Sequence, residues 1–310
     1  MSSSIKSQQL FTNVHPENLS GKIIQFPLTR IIIMVLFFMP ISVINNLLYE
    51  YVLEPSLSGI YFSVVHYAAT VISFIVFLIA YRLYTRYIER RKAYEISGKG
   101  SLVEFGIGSL ISLGMVLLMV GMFVILGYYK AAGFNSWKII IDSIFLFGMG
   151  AFIQELFFRS IVFRLTEEFL GSWIALVIIA LIFGIMHLGN KNATLFTSGA
   201  LMFEDVLLTA AFIFTRRLWL VWGIHASWNF FQAGIFGMPN SGITFKSWIT
   251  PEIKGPAWLT GGSFGIEASY IIILLTFAIG LFILKLSVNR KQIVLPVWKR
   301  KTAELPETVI

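Results

Sequence analysis

The chain contains no cysteine. Disulfides and thiolate metal sites are therefore excluded, and stability must come from packing and polar pairing. Charge is scarce as well: 13% of the 310 residues are Asp, Glu, Lys or Arg, against 57% hydrophobic residues. That balance excludes a soluble domain of average make-up and points to a chain crossing a membrane several times. Histidine is rarer still, with four in all, so imidazole chemistry has few places to reside. The net charge of +8 does not argue for nucleic acid. The basic residues fall in short clusters between apolar runs, where they set topology and meet anionic lipid. The first 22 residues lack the apolar core of a cleavable signal peptide, so insertion is expected to begin with the first span.

A bilayer-crossing helix needs roughly 20 mostly apolar residues. Runs near 31–52, 59–83, 102–128, 138–163, 171–188, 194–215, 218–236 and 267–288 predict an all-α polytopic membrane protein of about eight transmembrane helices. The expected organisation is a cytoplasmic N-terminal segment over 1–28, a transmembrane domain over 29–290 and a cytoplasmic tail over 291–310. Lys and Arg crowd the segments before span one, between spans two and three, between six and seven, and after eight, whereas the opposite loops carry Lys130, Lys138, Lys191, Lys246 and Lys254. By the positive-inside rule both termini are expected in the cytoplasm. Residues 237–266, rich in Gly, Pro, Ser and Thr, read as a structured external loop. Trp137, Trp173 and Trp219 fall near span ends and read as interfacial anchors.

Ionisable groups inside spans are costly and face a bundle interior or a wet cavity. Here they concentrate in spans four to seven, within a core of about 138–288. Glu155 and Arg159 are four residues apart and share a helix face, the spacing of a buried ion pair. A partly desolvated carboxylate also suits general-base work. Gln154, about 100° around the helix, cannot titrate and only exchanges hydrogen bonds. His187 follows Phe183 by four residues in span five, and His225 and Asn229 stack at i and i+4 in span seven. One carboxylate, two imidazoles and an amide are the ingredients for activating water and holding an oxyanion. Glu204 and Asp205 sit in span six, where they hydrogen-bond within the bundle, line a pocket or relay ions. His66 is expected to pack, His15 to be solvated, and Glu167 and Glu168 to need no special role. Glu267 is expected to fix the external loop to a helix end.

The ordered stretches QELFFR, FGIMH and HASWN, over 154–159, 183–187 and 225–229, resemble the motifs of the CAAX protease and bacteriocin-processing (Abi, or type II CAAX prenyl endopeptidase) family. That pattern is Glu-Glu-x-x-x-Arg, then Phe-x-x-x-His, then His-x-x-x-Asn. The resemblance runs from about Phe152 to Glu267, with flanks such as FRLTEEFLGSWIAL and HLGNKNAT. It implies an eight-helix intramembrane peptidase of bacterial type, with helices four to seven forming the catalytic bundle and a site opening toward the cytoplasmic half. By position, His187 would help a carboxylate activate water, His225 and Asn229 would hold the oxyanion, and Arg159 would orient the acidic pair. Gln154 departs from the pattern, because the family has its general base there; Glu155 is then the expected substitute. Ser160 stands where the family has Gly.

Two readings lead, ahead of a third, a transporter or channel relaying ions through Glu204 and Asp205, for which the expected paired repeats or broken helices are not found. The chain is an intramembrane endopeptidase acting on a membrane-associated peptide or protein, with activated water and no metal. Alternatively, it is a catalytically silent relative that holds a peptide or bacteriocin-like partner in an immunity or regulatory role. A Zn²⁺ variant of the first reading would take Glu155, His187 and His225 as ligands, although no compact ligand spacing is present. Partners are the lipid bilayer and the substrate, with no nucleic acid.

Overall fold

The computed structural model describes residues 7–12, 14, 16–48 and 59–300. His15, the end of the first expected span and the tail beyond 300 lie outside them. The helices are α1 Leu19–Gln25, α2 Pro27–Leu48, α3 Gly59–Tyr87 and α4 Ser101–Ile125. α5, Lys138–Glu155, runs on through a π-helical stretch, Leu156–Phe163, into α6, Arg164–Leu170. There follow α7 Ser172–Met186, α8 Leu195–Thr215 and α9 Leu218–Asn229, the last also continued by a π stretch, Phe230–Ile235. A short α10, Ala257–Thr260, and the long α11, Tyr270–Asn289, complete the set.

The chain is thus an all-α polytopic membrane protein, and its helices follow the expected apolar runs closely. Among the described residues six helices are long and apolar enough to cross a membrane, or seven if α1 and the first part of α2, bent by 66°, count as one span. The expected span at 218–236 is helical over 218–235. Its length is diluted by His225, Asn229 and Gln232, and it is buried against other helices instead of facing lipid. Close approach requires small residues there: a Cβ at Gly108 would stand 2.7 Å from the Ile224 nitrogen, and one at Gly223 would collide with the Phe105 carbonyl. Ser112 adds a hydrogen bond to the Ile224 carbonyl at 2.7 Å. α8 is the most enclosed span, 72% buried against at most 39% for the other five, so groups on it are the most fully removed from lipid.

One feature differs from the all-helical expectation. β1 Tyr129–Phe134 and β2 Ile249–Ile253 pair antiparallel, with an irregularity between Ala131 and Gly133. The loop expected at 237–266 is therefore clamped to the end of α4. Asn135 reinforces the clamp with bonds to the Ser247 carbonyl and the Thr250 hydroxyl, both 2.9 Å.

At the opposite, basic end, buried charges form ion pairs. Glu89 accepts from Arg30 at 3.0 Å, from Arg91 at 2.7 Å and from Arg164 at 2.7 Å. Burial opposes ionisation of this carboxyl, but Arg164, Arg91 and Arg30 outweigh it and hold it down at about 2. Glu167 and Glu168, expected to have no special role, are structural: Glu167 is fully buried against Arg216 at 2.5 Å, and Glu168 meets Arg30 at 2.7 Å. Trp219, expected as an interfacial anchor, packs inward near Phe152 and Trp222 and donates to the Ser97 carbonyl at 2.6 Å.

Candidate active site

A cavity of about 330 Å³ lies between α5, α7, α8 and α9 and is closed on one side by residues 240–245. Its walls carry Gln154, His187, Glu204, His225 and Asn229. Three sequence stretches separated by dozens of residues thus present their polar groups to one space. Asn190, Asn240 and Ser241 add further polar atoms, and Phe147, Phe183 and Phe245 supply apolar wall. His66 is not part of it.

Glu155 stands behind this wall. It is fully buried, and both carboxylate oxygens are engaged: Oε2 accepts from Arg159 Nε at 2.7 Å, and Oε1 meets His225 Nδ1 at 2.6 Å. A carboxylate oxygen only accepts, so Nδ1 carries the hydrogen in that contact and Nε2 is left for the cavity. Arg159 is shared with a partner that spacing did not reveal. Its Nη2 donates to Asp205 Oδ1 at 2.5 Å and its Nη1 to Thr209 Oγ1 at 2.8 Å, while Thr209 donates to Asp205 Oδ2 at 3.0 Å. Glu155, Arg159, Asp205 and Thr209 form a buried polar knot that ties the π-helical stretch after α5 to α8 and fixes the orientation of His225.

His187 lies where α7 ends and a 3₁₀ turn begins. Its Nδ1 is 2.6 Å from the Phe183 carbonyl, which can only accept, so Nδ1–H donates and Nε2 is the acceptor nitrogen in the neutral ring. The Phe183 ring lies between the imidazoles, its centroid 4.6 Å from that of His187 and 6.5 Å from that of His225. Asn229 is held from the loop side. Glu267, almost fully buried, accepts from Gln232 at 2.8 Å, from Asn240 Nδ2 at 3.0 Å and from the Ser241 amide at 3.0 Å. Burial pushes the Glu267 carboxyl up to about 7, against the lowering effect of these bonds. Asn240 Nδ2 also donates to Asn229 Oδ1 at 2.9 Å. Glu267 does fix the external loop, as expected, and through Asn240 it also reaches the site. Asn240 carried no motif and was invisible to sequence reasoning.

Both motif helices leave α geometry directly after their polar residue, at 156–163 and at 230–235. Such π turns rephase a helix face and recur at functional sites. The cavity spans from the middle of the bundle toward the loops at 187–194 and 237–245, the end opposite the Arg-rich network around Glu89.

The zinc alternative does not fit these residues. Among the described residues no group of three or more His, Asp or Glu side chains is placed to hold a metal, and Glu155 has no oxygen to spare.

No curated protein and no solved structure matches the chain. A family model does, over residues 135–231, about a third of the chain, and that segment contains all three motifs. This match bears out the resemblance: over residues 135–231 the chain is similar to the type II CAAX prenyl endopeptidase Rce1-like family.

Proposed function

We propose that the protein is an intramembrane endopeptidase that hydrolyses a peptide bond of a membrane-associated substrate. At the level of the family, the match over 135–231 supports a CAAX-type membrane protease. The observation that carries the finer reading is the convergence of His187, His225 and Asn229, from separate stretches of chain, on one cavity within the bundle. The scissile carbonyl oxygen is received by His225 Nε2, as a donor when the ring is charged, and by the Asn229 amide. His187 Nε2 accepts from the attacking water and holds it against the carbonyl carbon. Glu155 acts one layer back, fixing the tautomer and direction of His225, a task that a buried, doubly bonded carboxylate suits better than accepting a proton from water. Peptide chain in the site packs against Phe147 and Phe245 of the cavity wall.

The test is profiling of new protein termini in membranes of the expressing host, comparing wild type with His187→Ala at equal levels. Termini present with wild type and absent with His187→Ala are the expected result. An identical set of termini from both would remove the assigned site. A second reading, a silent relative that holds its partner without cutting it, draws on Gln154 at the cavity wall. Its signature is the absence of termini from wild type and their appearance with Gln154→Glu.

Orientation has its own test, made simple by the missing cysteines. Ile243 lines the cavity and is exposed, and Trp298 is exposed at the basic end. With an impermeant maleimide on intact cells, Ile243→Cys is expected to label and Trp298→Cys to label only after permeabilisation. The reverse pattern would turn the cavity mouth to the cytoplasm.

A further inference from the structure

We propose that Glu204 is the carboxylate that takes the proton from the attacking water, replacing the acid missing at position 154. The inference rests on the peptidase reading above and names the base that this reading needs. Gln154 faces the cavity but has no titratable group. Glu155 is behind the wall with both oxygens engaged, and Asp205 is consumed by Arg159 and Thr209. Of the four acidic or amide positions in this cluster, that leaves Glu204 as the carboxylate on the cavity wall.

The bonding of Glu204 is also incomplete. Its Oε2 is buried and has no hydrogen-bond partner. A buried polar atom without a partner is rare and costly, and in a native structure it marks a place for water, an ion or a reacting group. Adjacent side chains on a helix diverge by about 100°, so while Asp205 turns to Arg159, Glu204 turns to the cavity. Helix direction brings it toward His187. Side chains lean toward the N-terminus of their helix, and α7 and α8 follow one another through the short turn at 187–194. His187 therefore leans into the bundle from the loop end, whereas Glu204 leans toward the loop end from within. Tight packing at Gly184, where a Cβ would stand 2.6 Å from the Ser198 carbonyl, holds the two helices together beside the site.

The step balances without any co-reactant. Water oxygen bonds to the peptide carbonyl carbon as one O–H bond breaks and its proton passes to Glu204. The C=O π pair moves onto oxygen, where His225 and Asn229 receive it. When the pair returns, the C–N bond breaks and Glu204 returns its proton to the leaving nitrogen. The products are an acid and an amine, and Glu204 is again a carboxylate.

The experiment is terminus profiling in host membranes with five full-length chains: wild type, His187→Ala, Glu204→Gln, Glu204→Asp, and Glu204→Gln combined with Gln154→Glu. Glu204→Gln is expected to lower cleavage about 100-fold or more, with Glu204→Asp between it and wild type. The double variant is expected to recover cleavage, because a carboxylate returns to the same cavity from position 154. That recovery, with the intermediate Glu204→Asp, separates a lost base from a lost fold. Wild-type cleavage in Glu204→Gln beside a silent His187→Ala would overturn Glu204 and leave the peptidase reading intact. A silent wild type with an active double variant would overturn both, since Glu204 would then not serve in the native chain.

Discussion

An Arg159→Met chain is expected to lose about 3–5 kcal/mol of stability, and with it all measurable cleavage. Arg159 is fully buried and its guanidinium bridges Glu155 and Asp205, at 2.7 Å and 2.5 Å, themselves fully buried. Methionine keeps an unbranched apolar stem and removes the charge and all three guanidinium nitrogens. What remains is two carboxylates facing each other across a dry space, and Thr209 left with only Asp205 of its two side-chain partners. Removing one partner of a buried pair costs far more than the pair itself contributes, because the survivors keep their desolvation penalty without compensation. The measurement is the unfolding midpoint in detergent, expected to fall on the order of 10 °C. Adding Asp205→Asn removes one of the stranded charges and is expected to restore part of the loss, a coupling that a double-mutant cycle reads directly. A single Arg159→Met variant as stable as wild type would mean that the knot orients His225 without holding the π-helical stretch to α8.

The same knot shows what sequence could and could not reveal. Helix positions were legible because a span must be apolar along its whole length, and hydropathy registers that directly. The Glu155–Arg159 pair was legible because i and i+4 share a helix face. Asp205 as the other half of that pair was not, since 46 residues separate it from Arg159 and only the packing of the π-helical stretch on α8 joins them. Nor did spacing distinguish the cavity wall from the layer behind it. Gln154 and Glu155 are neighbours in sequence, yet one faces the cavity and the other is sealed beneath it. The residues at 154 and 155 and the rephasing π stretch after them decide which, and no periodic pattern announces a π turn. Residues 240–245 and the β1–β2 pairing were hidden for the same reason, because loop residues acquire their meaning from what they are folded against.

Asn229→Ala is expected to lower kcat by about 10²–10³-fold with little change in KM. The reason lies in how its amide is aimed. Glu267 accepts three hydrogen bonds, one of them from Asn240 at 3.0 Å. The atom that Asn240 turns to it must therefore be the NH₂ group. The second hydrogen of that group goes to Asn229 at 2.9 Å, so the atom facing it must be the Asn229 oxygen. The Asn229 NH₂ is thereby turned away from Asn240, and because Asn229 lines the cavity it is available to a developing oxyanion. A donor fixed in this way stabilises charge that exists only in the transition state, so its loss falls on kcat. Asn229→Asp should be as damaging as Asn229→Ala, since it keeps the shape and removes the donor. Asn240→Leu should cost less, roughly tenfold or a little more, because Asn229 survives but is free to flip. Equal losses from Asn229→Ala and Asn240→Leu, carried by KM, would point instead to a loop that shapes peptide binding and takes no part in holding the oxyanion.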